Sequence, residues 1–394
     1  MKRSPLVILF VTVFLDLLGF GMIIPLLPFF GEHFGASPVQ VGMLMASYSL
    51  AQFLVSPILG ALSDRHGRRP VLLFTLAGSI VCMIAFGLAG SFWQLIAARA
   101  LAGAFGGTVG VAQAYIADVT TPETRAKGMG MLGAAFGLGF VFGPAMGGLL
   151  SPYGYWVPSF VAAGLAAANL LFAITNLPET RQPGVAPAAR RSILSLQHIG
   201  RAIGVPVLGT LFLMLFAVGT AFSAMESTFA LFTERVFQYT ARENGYVFAY
   251  IGVMIVIMQG GLIGRLVKRF GERALVITGL LLQAVSLAVL PISTSLPLLL
   301  ITMGVLSLGS GMASPSLSSL ISQHIPEAER GELLGTSQSL ASLARIVGPV
   351  GGGLLFQSAG IGSPYYVGAA LMGLMWIVGM MVLRSPKGAV TPIP

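Results

Sequence analysis

Residues 60–70 read Gly-Ala-Leu-Ser-Asp-Arg-His-Gly-Arg-Arg-Pro, a short charged stretch between two long apolar runs. A degraded copy follows 204 residues later in GRLVKRFGERA, where Gly264, Arg269, Gly271 and Arg273 take the places of Gly60, Arg65, Gly67 and Arg69. A second pair of echoes is spaced by 205: Gly143-Pro144 with Gly147-Gly148-Leu149-Leu150 returns as Gly348-Pro349 with Gly352-Gly353-Leu354-Leu355. The spacing predicts a chain made of one membrane-embedded half read twice.

Composition agrees with that reading. Of 394 residues, 55% are hydrophobic and 9% charged, against about 25% charged in a soluble domain. Apolar runs of roughly 20 residues recur along the whole chain, each long enough to cross a ~30 Å hydrocarbon core as a helix. The ~10-residue alternating segments of a membrane β-barrel are not seen. The net charge of +9 is spread over short loops rather than gathered on one domain, which argues against nucleic acid as a partner. The one cysteine, Cys82, lies in an apolar run and reads as a small buried apolar residue. Lys2 and Arg3 before an apolar stretch resemble a signal peptide. That stretch runs from Pro5 to about Phe30, carries Asp16 and lacks a small-residue cleavage site, so it reads as a retained first span.

Apolar runs and polar breaks predict twelve spans, at roughly 5–30, 39–62, 70–89, 92–117, 127–150, 155–176, 205–232, 243–264, 274–293, 296–322, 331–357 and 361–383. The fold class is all-α: twelve transmembrane helices in two pseudo-symmetric six-helix bundles. The N-terminal bundle covers 1–176, a linker 177–204, and the C-terminal bundle 205–394. The linker, rich in Pro, Ala and Arg, reads either as a plain solvated connection or as one carrying a surface amphipathic helix over Ser192–Ile203. With the N-terminus inside, nearly all loop Lys and Arg fall on one side and only Arg235 and Arg242 on the other. The expected location is a plasma membrane (the inner membrane in a Gram-negative bacterium), multi-pass, with both termini cytoplasmic.

Four charged residues fall inside spans: Asp16 in the first, Arg99 in the fourth, Glu226 in the seventh and Arg345 in the eleventh. A charge near mid-membrane costs at least ~2.5–3.5 kcal/mol, so each marks either a functional site or a permanent interhelical ion pair. Arg99 keeps its charge in any setting. Asp16 near it would be pushed one way by burial and the other by the guanidinium, the balance a proton-exchanging group needs. The expectation is that Asp16, Arg99 and Glu226 couple protons, with Arg345 a candidate partner for Glu226.

The charged stretch matches G-x-L-x-D-R-x-G-R-R-x-x-L at Gly60, Leu62, Asp64, Arg65, Gly67, Arg68, Arg69 and Leu72. The fifth span carries G-x-x-x-G-P-x-x-G-G at Gly139, Gly143, Pro144, Gly147 and Gly148, and the fourth R-x-x-x-G at Arg99 and Gly103. On these motifs the chain resembles the major facilitator superfamily, specifically its twelve-helix drug/proton antiporters of the tetracycline-efflux type. The resemblance implies that Asp64 faces the start of the eleventh helix, where the helix dipole favours an anion, and that Arg68 pairs with Asp118. Gly60, Asp64, Arg65, Gly67, Arg68, Arg69 and Asp118 would then latch the two halves. It also associates the fifth-span motif with exporters; spacing alone fits close helix packing, with a kink at Pro144. Tetracycline exporters bear an acid at the place of Asp16, and further acids where this chain has Cys82 and Gln283, so a substrate other than a tetracycline–metal chelate is expected.

Substrate contacts are expected from Tyr48, Gln52, Gln113, Phe136, Phe140, Phe222, Gln259, Gln338 and Arg345, which combine aromatic faces with a few polar groups. His33, His66, His198 and His324 stand at no metal-ligand spacing, Gly19 and Gly21 belong to no dinucleotide loop, and no phosphate loop or nucleophile grouping appears. The chain is therefore read as a non-enzyme without cofactor or metal, acting as a monomer on a small molecule, protons and the bilayer. The function expected is secondary export of lipophilic or cationic compounds in exchange for protons, by alternating access. The alternative is proton-coupled import of a small metabolite such as a sugar or organic acid.

Overall fold

A computed structural model describes residues 5–180, 206–325 and 330–383. Most of the predicted linker, including the surface helix over Ser192–Ile203, lies outside the described residues. So do Lys2, Arg3, His198 and the other linker and C-terminal basic residues. Among the described residues the regular structure is helical throughout.

The first span is α1 (Pro5–Ile23), a 3-10 turn at Ile24–Leu26 and α2 (Leu27–His33). Pro25 and Pro28 each remove a backbone donor, which tightens the helix there. The next elements are α3 (Pro38–His66), α4 (Arg68–Gly87), α5 (Phe92–Phe105), α6 (Thr108–Val119), α7 (Pro122–Leu150) and α8 (Val157–Asn176). Local chemistry sets several starts. Ser37 and Gln40 form a capping box ahead of α3 with Pro38 in its first turn, and Thr121 with Thr124 does the same for α7. α7 runs through Pro144 as one continuous helix. The second part of the chain forms α9 (Pro206–Phe237), α10 (Ala241–Val256), a π-helical turn at Ile257–Leu262, α11 (Ile263–Val289), α12 (Leu296–His324), α13 (Arg330–Ala359) and α14 (Ser363–Val382).

Among the described residues, eleven continuous stretches are long and apolar enough to cross a membrane, but one of them, Ala241–Ile292, has 52 residues. At 1.5 Å per residue it is about 78 Å long, more than twice a bilayer core. It is divided at Gly271, which sits at φ 77° inside α11, so it supplies the eighth and ninth spans and the total is twelve. The fourth span departs from the single helix expected over 92–117. It breaks at Gly106 and Gly107 into α5 and α6. Large apolar side chains such as Leu54, Ile58, Leu171 and Met381 are exposed, a surface that hydrocarbon covers and water does not. The chain is a multi-pass membrane protein.

Packing groups the chain into two compact units. The first comprises Met1–Arg190 and Thr233–Val253. In it α1 packs on α7 and α8, α3 on α5 and α4 on α8, around a core that includes Leu9, Leu72, Tyr115, Leu132 and Ala173. The second comprises Arg191–Phe232 and Met254–Pro394, where α11 packs on α12 and α14. Gly279 and Gly309 let the α11 and α12 backbones touch: a Cβ on Gly279 would meet the Gly309 carbonyl at 2.6 Å.

Candidate functional site

The short connection between α3 and α4 is organised by Gly67 and Arg68. Gly67 takes φ 104° and ψ 159°, a conformation that L side chains rarely adopt. The backbone turn points the Arg68 and Arg69 N–H groups, at the start of α4, to one carboxylate: Glu179 accepts from them at 3.0 and 3.2 Å. An anion at a helix N-terminus is favoured by orphan donors and dipole together. The Arg68 side chain donates to Asp118 Oδ2 at 2.9 Å and to Ser63 Oγ at 2.8 Å, and forms a short ion pair with Asp64. Thr180 Oγ1 adds a hydrogen bond to Asp118 at 3.2 Å, and Arg69 reaches the Ile174 carbonyl at 2.7 Å. Asp64, Arg68, Arg69 and Asp118 thus belong to one network within the first unit, while Arg65 is exposed and Gly60 lies in open space.

The second copy keeps the turn and changes the charges. Gly271 takes φ 77° and ψ 159°, the same left-handed turn as Gly67. The place of Arg68 is taken by Glu272, which accepts hydrogen bonds from Ser319 and, at 2.7 Å, from Gln323 of α12.

In α7 the glycine motif serves two faces. Gly139, Gly143 and Gly147, spaced four apart, lie against α1: a Cβ on them would collide with Leu17, Gly21 and the Met22 carbonyl in turn. Gly148 faces α10, where a Cβ would meet the Arg242 carbonyl at 2.9 Å and Gly245 Cα at 3.0 Å. From the other side, Gly245 approaches the Pro144 carbonyl and Gly252 the Phe140 carbonyl. One helix is thereby held at backbone distance by two neighbours, which only small residues allow. The echo in α13 behaves alike, with Gly348 against the Thr220 carbonyl and Gly352 against Ala224 of α9.

The break in the fourth span is held by α3. Gln52 Nε2 donates to the Gly106 carbonyl at 2.6 Å, and a Cβ on Gly103 would strike the Tyr48 carbonyl. One turn before Gly103, the buried Arg99 guanidinium lies over two rings, 4.5 Å from the Tyr48 centroid and 5.1 Å from that of Phe20. Such stacking suits the broad guanidinium face. Asp16 is placed differently from the approach to Arg99 that the sequence suggested. Its carboxyl accepts a hydrogen bond from Ser79 Oγ at 3.5 Å. Thr108, the first residue of α6, donates to Thr75 Oγ1 at 3.2 Å.

Among the other expected contacts, Tyr48 and Gln52 are partly buried at the break, and Phe136 packs against the core of the first unit. Gln113 and Phe140 are exposed in that unit; Gln259 and Gln338 are exposed in the second, and Phe222 is partly buried there. Glu226 is partly buried on α9, and Arg345 of α13 reaches Ser342 Oγ at 3.5 Å. Sequence reasoning missed Glu179, whose signal was an acid just past the end of the sixth span, two residues before Arg181. It also missed Ser79, Thr75 and Thr108, polar residues inside otherwise apolar runs, and Asn169, which donates to the Thr12 carbonyl at 2.8 Å.

The profile of the Major Facilitator Superfamily matches residues 9–269 and 260–394. The chain is 33% identical to the class C tetracycline resistance protein of Escherichia coli, over 96% of this chain and 94% of that one. It is 29% identical to multidrug resistance protein 2 of Bacillus subtilis, over 98% and 96%. Its fold superposes on the crystal structure of the human organic anion transporter MFSD10 with a TM-score of 0.73 and 28% identity, covering 96% of this chain and 99% of that one. With twelve spans, the repeated turn and a family match along its length, the chain belongs to the Major Facilitator Superfamily and is a transporter of small molecules.

Proposed function

We propose that the protein exports small lipophilic or cationic compounds in exchange for protons, by alternating access. The observation that carries this reading is the setting of Asp16: a carboxyl midway along the first span, partly accessible, hydrogen-bonded by the Ser79 hydroxyl rather than locked to a guanidinium. A group so placed has room to gain and lose a proton, whereas a fixed ion pair holds its charge. Export is supported by the tetracycline and multidrug resistance relatives and by the α7 glycine motif. A substrate other than chelated tetracycline is supported by the uncharged, buried Cys82 and Gln283.

In this reading the Arg68 network and its linker-side partner Glu179 latch the N-terminal six spans at the cytoplasmic side, where both termini lie. The bundles are 1–176 and 205–394, and the protein works as a monomer. A proton falling through 100 mV releases about 2.3 kcal/mol, enough for roughly 50-fold accumulation. The test is transport of tetraphenylphosphonium in proteoliposomes with an imposed pH gradient. Accumulation against the cation gradient, collapsing when the pH gradient is removed, is expected. Inward movement together with protons points to the importer instead.

A further inference from the structure

A carbonyl within a membrane span needs a donor, and in an unbroken helix it accepts from the N–H four residues on. For Gly106 that donor is the N–H of Gly110. Here the place is taken from outside the span: Gln52 Nε2 of α3 donates to the Gly106 carbonyl at 2.6 Å. Gly110, the third residue of α6, then belongs to the first turn of a new helix, where N–H groups have no acceptor within the helix. On the α5 side the ladder is tightened, with the Gly106 N–H on the Gly103 carbonyl at 3.0 Å and the Gly107 N–H on that of Phe105 at 2.8 Å.

This backbone stands close to a continuous helix. Gly106 has φ −71° and ψ 26°, and Gly107 φ −87° and ψ −3°. Both keep a right-handed φ and depart in ψ alone, by about 70° and about 40° from the helical value. α5 is fixed against α3, with Gly103 in backbone contact with the Tyr48 carbonyl and the Arg99 guanidinium over the Tyr48 ring. On the other side of the break the exposed face of Gly110 is open, and a Cβ there would meet nothing within 4 Å.

We propose that Gln52 is a positioning residue that acts as a two-position clasp on the fourth span. In one position its amide holds the Gly106 carbonyl, and the span is divided into α5 and α6. In the other the carbonyl returns to the Gly110 N–H, and the two helices run on as one. One hydrogen bond replaces another, and each arrangement leaves one donor unmade: the Gly110 N–H in the first, one N–H of Gln52 in the second. The remaining Gln52 N–H has the Tyr48 hydroxyl at 3.4 Å in either case. Such an even exchange gives a packed element two discrete arrangements. Resting on the reading of the protein as an alternating-access transporter, the clasp is the joint at which the fourth span changes direction during the cycle.

The test is hydrogen–deuterium exchange of the purified full-length protein, read by mass spectrometry on peptides spanning 104–112. Gln52→Met keeps the length of the side chain and removes the donor. The Gly106 carbonyl should then recruit the Gly110 N–H, and exchange in this segment should slow by about tenfold relative to the native chain. Loss of a side chain that merely packs against the break would loosen it, so faster or unchanged exchange overturns the proposal. Gly106→Ala reaches the same end by another route: its Cβ would lie 2.5 Å from the Tyr48 hydroxyl and 3.0 Å from Gln52 Nε2, driving the amide off. It too should slow exchange. In tetraphenylphosphonium transport, a joint locked in one position should lower kcat by about tenfold with KM little changed. A raised KM at normal kcat makes Gln52 a substrate contact and overturns its role in the cycle. Native protein that moves no cation under a pH gradient defeats the transporter reading instead, while the exchange measurement still decides the clasp.

Discussion

At the level of single residues, two glycines with the same turn have different surroundings. Gly67 has the Glu179 carboxylate where a Cβ would go, whereas Gly271 has open space. Alanine at either position meets a backbone penalty of about 1–2 kcal/mol, and at Gly67 it also displaces the carboxylate that caps α4. Thermal unfolding in detergent should show Gly67→Ala clearly more destabilised than Gly271→Ala; equal losses would mean that Glu179 contributes nothing. Arg68 and Asp118 are joined by one 2.9 Å bond, and a double-mutant cycle of Arg68→Ala with Asp118→Ala should return a coupling on the order of 1 kcal/mol. Lysine at 68 should not recover it, because a single ammonium cannot serve Asp64, Ser63 and Asp118 with the geometry of the guanidinium fork. The charges of this network were legible in residues 60–70 because charge is rare between apolar runs. Glu179 was not, since nothing in a linear sequence says which acid a helix N-terminus will find 110 residues away.

At the level of elements, the α7 glycines were read from spacing, and the structure divides them between two neighbours. Leucine at Gly147 would enter the Met22 carbonyl, and at Gly143 the Gly21 backbone, whereas at Gly133 it meets open space. Gly143→Leu and Gly147→Leu should each cost at least about 1–3 kcal/mol by overpacking, and Gly133→Leu close to nothing. Size-exclusion profiles and melting curves of the three variants check this, and a tolerated Gly147→Leu would refute the α1–α7 contact. The break of the fourth span at Gly106 and Gly107 escaped sequence reading for a physical reason. In lipid-embedded helices glycine is an ordinary packing residue, and with 51 of them in the chain a Gly-Gly pair stands out little. What fixes the break is a partner on another helix, the Gln52 amide on the Gly106 carbonyl.

Across the whole molecule, the duplication visible at a spacing of 204 survives in the backbone turns at Gly67 and Gly271 and in the glycine contacts of α7 and α13. It does not survive in the chemistry. Arg68 has become Glu272. Twelve spans were legible because the ~30 Å hydrocarbon thickness imposes a run length on the sequence. The neighbour of Asp16 was not, because Ser79 comes from a span whose rotational setting no apolar run specifies. On the function proposed above, proton exchange takes place at one carboxyl, Asp16.

Proton release on substrate binding tests that most directly. Purified protein in weakly buffered solution is mixed with tetraphenylphosphonium, and the pH change is followed for the native chain and for Asp16→Asn. Release by the native protein and none by the variant is the expected result. Release that persists undiminished in Asp16→Asn would contradict a proton site at Asp16.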